Sequence, residues 1–164
     1  VCEGVDRILA GRSPNYAYAP PAQATPAGKE PVRVLLKNYR LSDDIAFRFS
    51  DRNWKEWPLD AQRFAKWVNQ INGDGYLCNL FMDYETFGEH QWADTGIFDF
   101  MKSLPQALLA HKRLSFRTPG EVALQHDPVS RLSIPRPVSI TSSITRPSCE
   151  RVCSSITPPS GIAC

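Results

Sequence analysis

Nowhere does the sequence hold an apolar run approaching the roughly 20 residues of a membrane-spanning helix, so no membrane partner is expected. It also lacks an excess of either charge, with 19 Lys and Arg against 17 Asp and Glu and a formal net charge of +2. A nucleic-acid binder would carry a basic stripe, so nucleic acid is set aside as well. Paired CxxC spacing is missing. Of the five cysteines, Cys2, Cys78, Cys149, Cys153 and Cys164, only Cys149 and Cys153 stand close together. A zinc site usually draws on two close ligand pairs, so no metal is expected. Nothing else in the sequence asks for a cofactor. Reduced thiols are the expectation, which favours a cytoplasmic compartment. There is no initiator methionine: the chain opens on Val1, with no signal-peptide pattern after it. Its 164 residues are few beside the roughly 250 of a complete (β/α) barrel. The chain reads as a piece of a longer protein.

What is present is unevenly spread. All 17 aromatic residues lie at or before Phe116, and from Ser130 to Cys164 Glu150 is the single acid. In that stretch 17 of 35 residues are Pro, Ser or Thr, too little apolar surface to offset the entropy of ordering. Residues 139–164 are therefore expected to be a disordered tail behind a body of residues 1–138. So abrupt a change in character is also what a shifted reading frame or a gene-fragment end would produce.

Ahead of the tail, strand and helix patterns alternate. Val32 to Leu36, an apolar run after Pro31, suits a buried parallel strand, and Ile45 to Phe49 suits a short strand or a helix start. Phe64, Trp67, Val68 and Ile71 share one helical face, with Asp60 as N-cap and Leu59 and Phe64 as a hydrophobic staple. Gly73 and Gly75 end that helix. Tyr76 to Met82 is the strongest strand candidate. A helix opening at Thr95 carries an apolar stripe of Ile97, Phe98, Phe100, Met101 and Leu104, and Pro105 is expected to break it and begin another. This alternation is the grammar of an α/β fold with a mostly parallel sheet. Trp54 and Trp57 are expected to pack the helix start, and His111 and His126 to lie on the surface.

In such folds reactive groups gather where strands end at their carboxyl edge. Directly after the best strand, Asp83 to Trp92 packs three carboxylates, one imidazole and three aromatics into ten residues. Sugars offer hydroxyls to carboxylates and C–H faces to rings, so carbohydrate chemistry fits. The plainer alternative is a polar loop whose acids cap the next helix.

The block LFMDYETFGEHQW, followed by TGIFDFMKSLP, resembles the acid/base stretch of glycoside hydrolase family 57 in its α-amylase-like branch. CEGVDRILAGRSPNYAY, KNYRLSDDIAFRFSDRNWKEWPL and FRTPGEVALQHDPVSRLSIPRPVS are similar to other parts of the same branch, so the likeness runs from about Cys2 to Ser139. It implies part of a (β/α)7 barrel, an incomplete TIM-like barrel, acting with retention on an α-glucan polysaccharide or maltooligosaccharide. Glu3 matches the nucleophile, with Cys2 where the branch has Thr, and Asp83 matches the acid/base in the D-x-E-x-F-G pattern that includes Glu85. Substrate contacts are expected from Glu85, from His90 as a hydrogen-bonding partner, from Trp92 as a stacking platform and from Asp44 beside Asp43. Two rival readings stay open. One is a non-catalytic fragment. The other is a metal-dependent carbohydrate deacetylase with Asp83, Glu85, Glu89 and His90 as ligands.

Overall fold

A computed structural model describes residues 6–25, 27–29, 32–133 and 154–156. In chain order they form helix α1 (Asp6–Leu9), strands β1 (Ala17–Tyr18) and β2 (Val34–Leu35), and helix α2 (Tyr39–Asp43), which runs on into a π-helical turn (Asp44–Arg48). Helix α3 (Ala61–Asn69), strand β3 (Cys78–Leu80), helix α4 (Ile97–Leu109), strand β4 (Phe116–Arg117), helix α5 (Pro119–Gln125) and strand β5 (Ser154–Ile156) follow.

Helix α3 begins as its sequence dictates. The Asp60 carboxylate accepts the Arg63 amide at 2.7 Å, taking one of the donors that a helix start leaves free. Leu59 and Phe64 are buried in one cluster, as a staple requires. Beyond the helix, Gly75 (φ +157°) passes so close to Asn15 that an added Cβ would collide with the Asn15 backbone carbonyl. That carbonyl accepts both Tyr76 N, at 3.0 Å, and Leu77 N, at 3.1 Å, so glycine is needed there.

Helix α4 departs from expectation at both points. Thr95 is held in a preceding 3₁₀ turn, its hydroxyl donating to Trp92 O at 2.6 Å, and Gly96 at φ +82° starts the helix instead. Pro105 does not break it. An internal proline costs about 3 kcal/mol, but α4 buries Ile97, Phe100, Leu104 and Leu108, and such side chains contribute about 1.5–3 kcal/mol each. Four of them outweigh one lost bond. Phe64 of α3 meets Phe100 of α4 edge to face, ring centroids 5.8 Å apart, and Phe49 meets Phe100 at 5.0 Å. This is the centre of the main core.

The strands correct the parallel-sheet expectation. β1 and β2 pair antiparallel, Ala17 opposite Leu35; the described residues of the Pro/Ala-rich loop between them form a 3₁₀ turn (Ala22–Ala24) and no crossover helix of the kind that a parallel return usually takes. β3, β5 and β4 form a second antiparallel sheet with β5 in the middle. Among the described residues parallel pairing occurs as single bridges, Ala19 to Arg131, Lys37 to Asn79 and Phe87 to Gln91. The described residues are thus mixed α/β and do not close a barrel. Tyr76–Met82 contracts to β3 because the Phe81 amide is taken by the Ser42 hydroxyl, at 3.1 Å. Ile45 to Phe49 is helical, not strand. Ser154–Ile156 forms β5 where an unstructured tail was expected, and the rest of residues 134–164, with Cys149, Cys153 and Cys164, lies outside the described residues.

One arrangement positions everything that follows. Past β2 the chain runs alongside β3: Asn38 N donates to Asn79 O at 2.9 Å, and the buried Asn79 amide donates to Leu36 O at 2.9 Å. The segments that leave β2 and β3 therefore emerge side by side, α2 with its π-turn from one and Phe81–Trp92 from the other.

Candidate active site

The Asp83–Trp92 loop is held by its backbone and by two buried side chains. Thr86 N reaches Asp83 O at 3.1 Å, Gln91 N reaches Thr86 O at 2.8 Å, and Gly88 N reaches Gln91 O at 2.9 Å. The Glu85 carbonyl accepts both Glu89 N and His90 N. Thr86 and Gln91 face inward, and the Gln91 amide donates to Ala46 O of the π-turn at 2.9 Å. Gln91 Oε1 is buried without a hydrogen-bond partner. Asp83, Glu85, Glu89 and His90 are exposed, and Tyr84 and Trp92 are exposed over about two-thirds of their surface. Carboxylates, an imidazole and two bare rings thus stand on a loop whose backbone is fixed. Such a set can accept from sugar hydroxyls, exchange a proton and stack on a ring face.

Asp44 stands elsewhere. Ser42 holds Phe81 N, and Asp44 lies two residues on, about half a helical turn round, so it points away from the loop. It pairs with Arg48 at 2.5 Å and lines a cavity of about 620 Å³ together with Trp54 and Trp67. Burial pushes its carboxyl above the ordinary carboxylate range, and the Arg48 guanidinium partly restrains the rise. Asp43 is 3.6 Å from the Lys37 ammonium. Glu3 lies outside the described residues. The structure therefore brings Asp83, Glu85, His90 and Trp92 together on one loop and leaves Asp44 on the other side of the helical segment.

Three smaller expectations are also corrected or divided. His126 is not a plain surface residue: it stacks on Tyr76, ring centroids 4.3 Å apart, and burial lowers its pKa. Trp54 packs against the core and meets Trp67 at 6.1 Å, whereas Trp57 is 42% exposed under the Arg52 guanidinium. Among the described residues no group of three or more His, Cys, Asp or Glu side chains is arranged to hold a metal ion, so Asp83, Glu85, Glu89 and His90 do not form such a group. No helix among those residues is long and apolar enough to cross a membrane.

Residues 1–135, the whole site loop among them, match the family model for glycosyl hydrolase family 57. The chain belongs to glycosyl hydrolase family 57. A curated relative from Methanocaldococcus jannaschii, named "Putative alpha-amylase", is 44% identical over 126 residues, which is 77% of this chain and 25% of that protein. The family 57 chain described here thus spans about a quarter of the length of the curated relative it matches. No solved structure matches it.

Sequence reasoning missed the role of Gln91. A glutamine between His90 and Trp92 reads as one more exposed polar residue, and only the fold turns it inward onto a free backbone carbonyl. It also missed that Trp54 and Trp67 border a cavity. Their spacing reported core packing, which is correct, and said nothing of the open edge.

Proposed function

We propose that this protein is a retaining glycoside hydrolase of α-amylase type that cleaves α-1,4-glucans. The observation that carries the proposal is the family match across residues 1–135, which includes both Glu3 and Asp83. Asp83 is the general acid: it protonates the leaving glycosidic oxygen while the Glu3 carboxylate attacks the anomeric carbon and forms a glycosyl-enzyme. Asp83, now the base, takes a proton from water, which displaces Glu3 and restores the original configuration. Retention requires the two carboxyls to stand about 5–5.5 Å apart. Glu85 and His90 bind hydroxyls beside the scissile bond, Trp92 stacks on a ring, and Asp44 contacts glucan from the cavity behind. No cofactor takes part. The exposure of Asp83, Glu85, His90 and Trp92 on a fixed loop supports these roles, and a cytoplasmic setting is part of the proposal.

The proposal includes a (β/α)7 barrel to which residues 1–138 contribute the later part, with 139–164 as a tail. The 164-residue chain alone is then inactive, for lack of the strands that complete the barrel. The test grafts residues 1–135 into the Methanocaldococcus jannaschii relative in place of its matching segment. In that chimera Asp83→Asn and Glu3→Gln should each lower glucan cleavage by at least about a hundredfold. With an activated leaving group, Asp83→Asn still forms the glycosyl-enzyme and azide rescues it, whereas Glu3→Gln does neither. Full rates in both variants would refute the assignment, and robust turnover by the isolated chain would refute its incompleteness.

A further inference from the structure

The helical segment that carries the Asp83–Trp92 loop on one side borders a recess on the other. Trp54 and Trp67, joined edge to face at 6.1 Å and 70°, line it together with Tyr39. Both indoles are fixed by their packing on the main core, so they present preset aromatic surfaces. The recess, about 620 Å³, is open to solvent over much of its extent, a shape that suits a stretch of a long ligand rather than an enclosed small one. An adjoining recess of about 350 Å³ shares Asn38, Tyr39, Arg40 and Asp74 with it, which makes the pair one extended groove.

The charges along the groove identify the ligand class. Arg40, Arg48 and Lys55 stand against Asp44, Glu56 and Asp74, and the adjoining recess adds Arg12 and Asp6, one of each sign. A phosphate or an acidic peptide calls for surplus cations, and a basic peptide for surplus anions. A balanced wall suits an uncharged, elongated ligand rich in hydroxyls. Carboxylates accept from such a ligand, guanidiniums and the Gln70 amide donate to it, and indole faces meet its C–H surfaces.

We propose that this groove is a second carbohydrate site, distinct from the Asp83 loop, that takes a linear segment of neutral α-glucan. Its location rests on the geometry, and the choice of glucan rests on the glycoside-hydrolase reading above. The groove holds the polymer while the loop on the opposite side of the same helical segment addresses a bond.

The chain's four tryptophans make the test direct, because Trp54 and Trp67 report the groove, Trp92 the Asp83 loop and Trp57 neither. The full 164-residue chain is titrated with maltohexaose while the indole N–H resonances are followed by NMR. Trp54 and Trp67 should shift together and saturate, with Trp57 unmoved. Gln70→Ala, at an exposed position, and Asp44→Asn should each weaken that binding about three- to tenfold, the loss expected of one hydrogen bond, without altering the thermal transition in the case of Gln70→Ala. Absence of any shift at Trp54 and Trp67 overturns the proposal. A shift confined to Trp92 overturns it too, while leaving the Asp83 reading standing. Saturation by inorganic phosphate or an acidic hexapeptide in place of maltohexaose overturns the ligand class, and undiminished binding in both variants overturns the site. Loss of the proposed chemistry in the chimera, with the groove shifts intact, would overturn the catalytic reading and leave the groove.

Discussion

The α3–α4 layer and the Asp83–Trp92 loop face each other as opposites. The layer is held by side chains: Phe64, Val68, Phe100 and Leu104 are buried, and their rings and methyls interlock. The loop is held by its backbone, while most of its side chains point out. Stability in the first region resides in atoms that a mutation removes. In the second it resides in atoms that every residue has, and the side chains are left free for chemistry. Substitutions should therefore separate folding from function cleanly.

The largest expected effect lies in the layer. Phe64→Ala should cost about 3–5 kcal/mol, the range for truncating a buried aromatic, read as a drop in the urea midpoint with little change in slope. A loss below 1 kcal/mol would mean the two helices are not the stabilising unit. Gln91→Ala is an exception within the loop, since it strands the Ala46 carbonyl. It should cost about 1–3 kcal/mol and raise amide exchange at Gly88 and Gln91 while α3 and α4 stay protected. Asp60→Ala, which leaves the first turn of α3 without its cap, should cost about 1 kcal/mol. Asp83→Asn should move stability by less than about 0.5 kcal/mol, because the side chain is exposed and without a fold contact. A larger change would show that Asp83 is also structural.

The finest test uses pH. His126 is stacked on Tyr76 with Nε2 buried and without a hydrogen-bond partner. Burial lowers its pKa below 6.5, so the unfolded chain takes up the proton first. Its share of stability is complete above pH 6.5 and is lost as pH falls through the lowered folded value. In chemical denaturation, His126→Gln should flatten that acid-side slope. An unchanged slope would assign the dependence to other groups.

The sequence announced those features that depend on neighbours in the chain. Asp60 and the Leu59–Phe64 staple, the α3 face and the strand before Asp83 were legible because capping, helical period and strand runs are local. The Thr118-x-x-Glu121 capping box with Pro119 at the first helical position was equally local and simply went unread. Strand direction was not local: the way β2 returns against β1 depends on the path of the Pro/Ala-rich loop between them. Pro105 misled because a backbone rule was weighed without the burial that overrides it. The placement of Asp44 was not legible, because the acidic pair with Asp43 identifies no direction, and half a turn of helix decides which cavity a carboxylate enters. Gln91 left no local sign at all.

The π-turn at Asp44–Arg48 has a consequence for how this segment tolerates insertions and deletions. A π-turn winds more residues into each revolution than an α-helix does. Deleting one residue there would let the segment relax to ordinary winding. Inserting one would find no such slack and would rotate everything beyond it by about 100° relative to α2. Ser42 would keep its hold on Phe81, but the Ala46 carbonyl would swing away from Gln91. The groove wall and the loop anchor would then lose register together. Between Tyr39 and Phe49 the exposed positions Arg40 and Phe47 are thus expected to accept exchange of one side chain for another, and the turn a single deletion, but the segment no insertion.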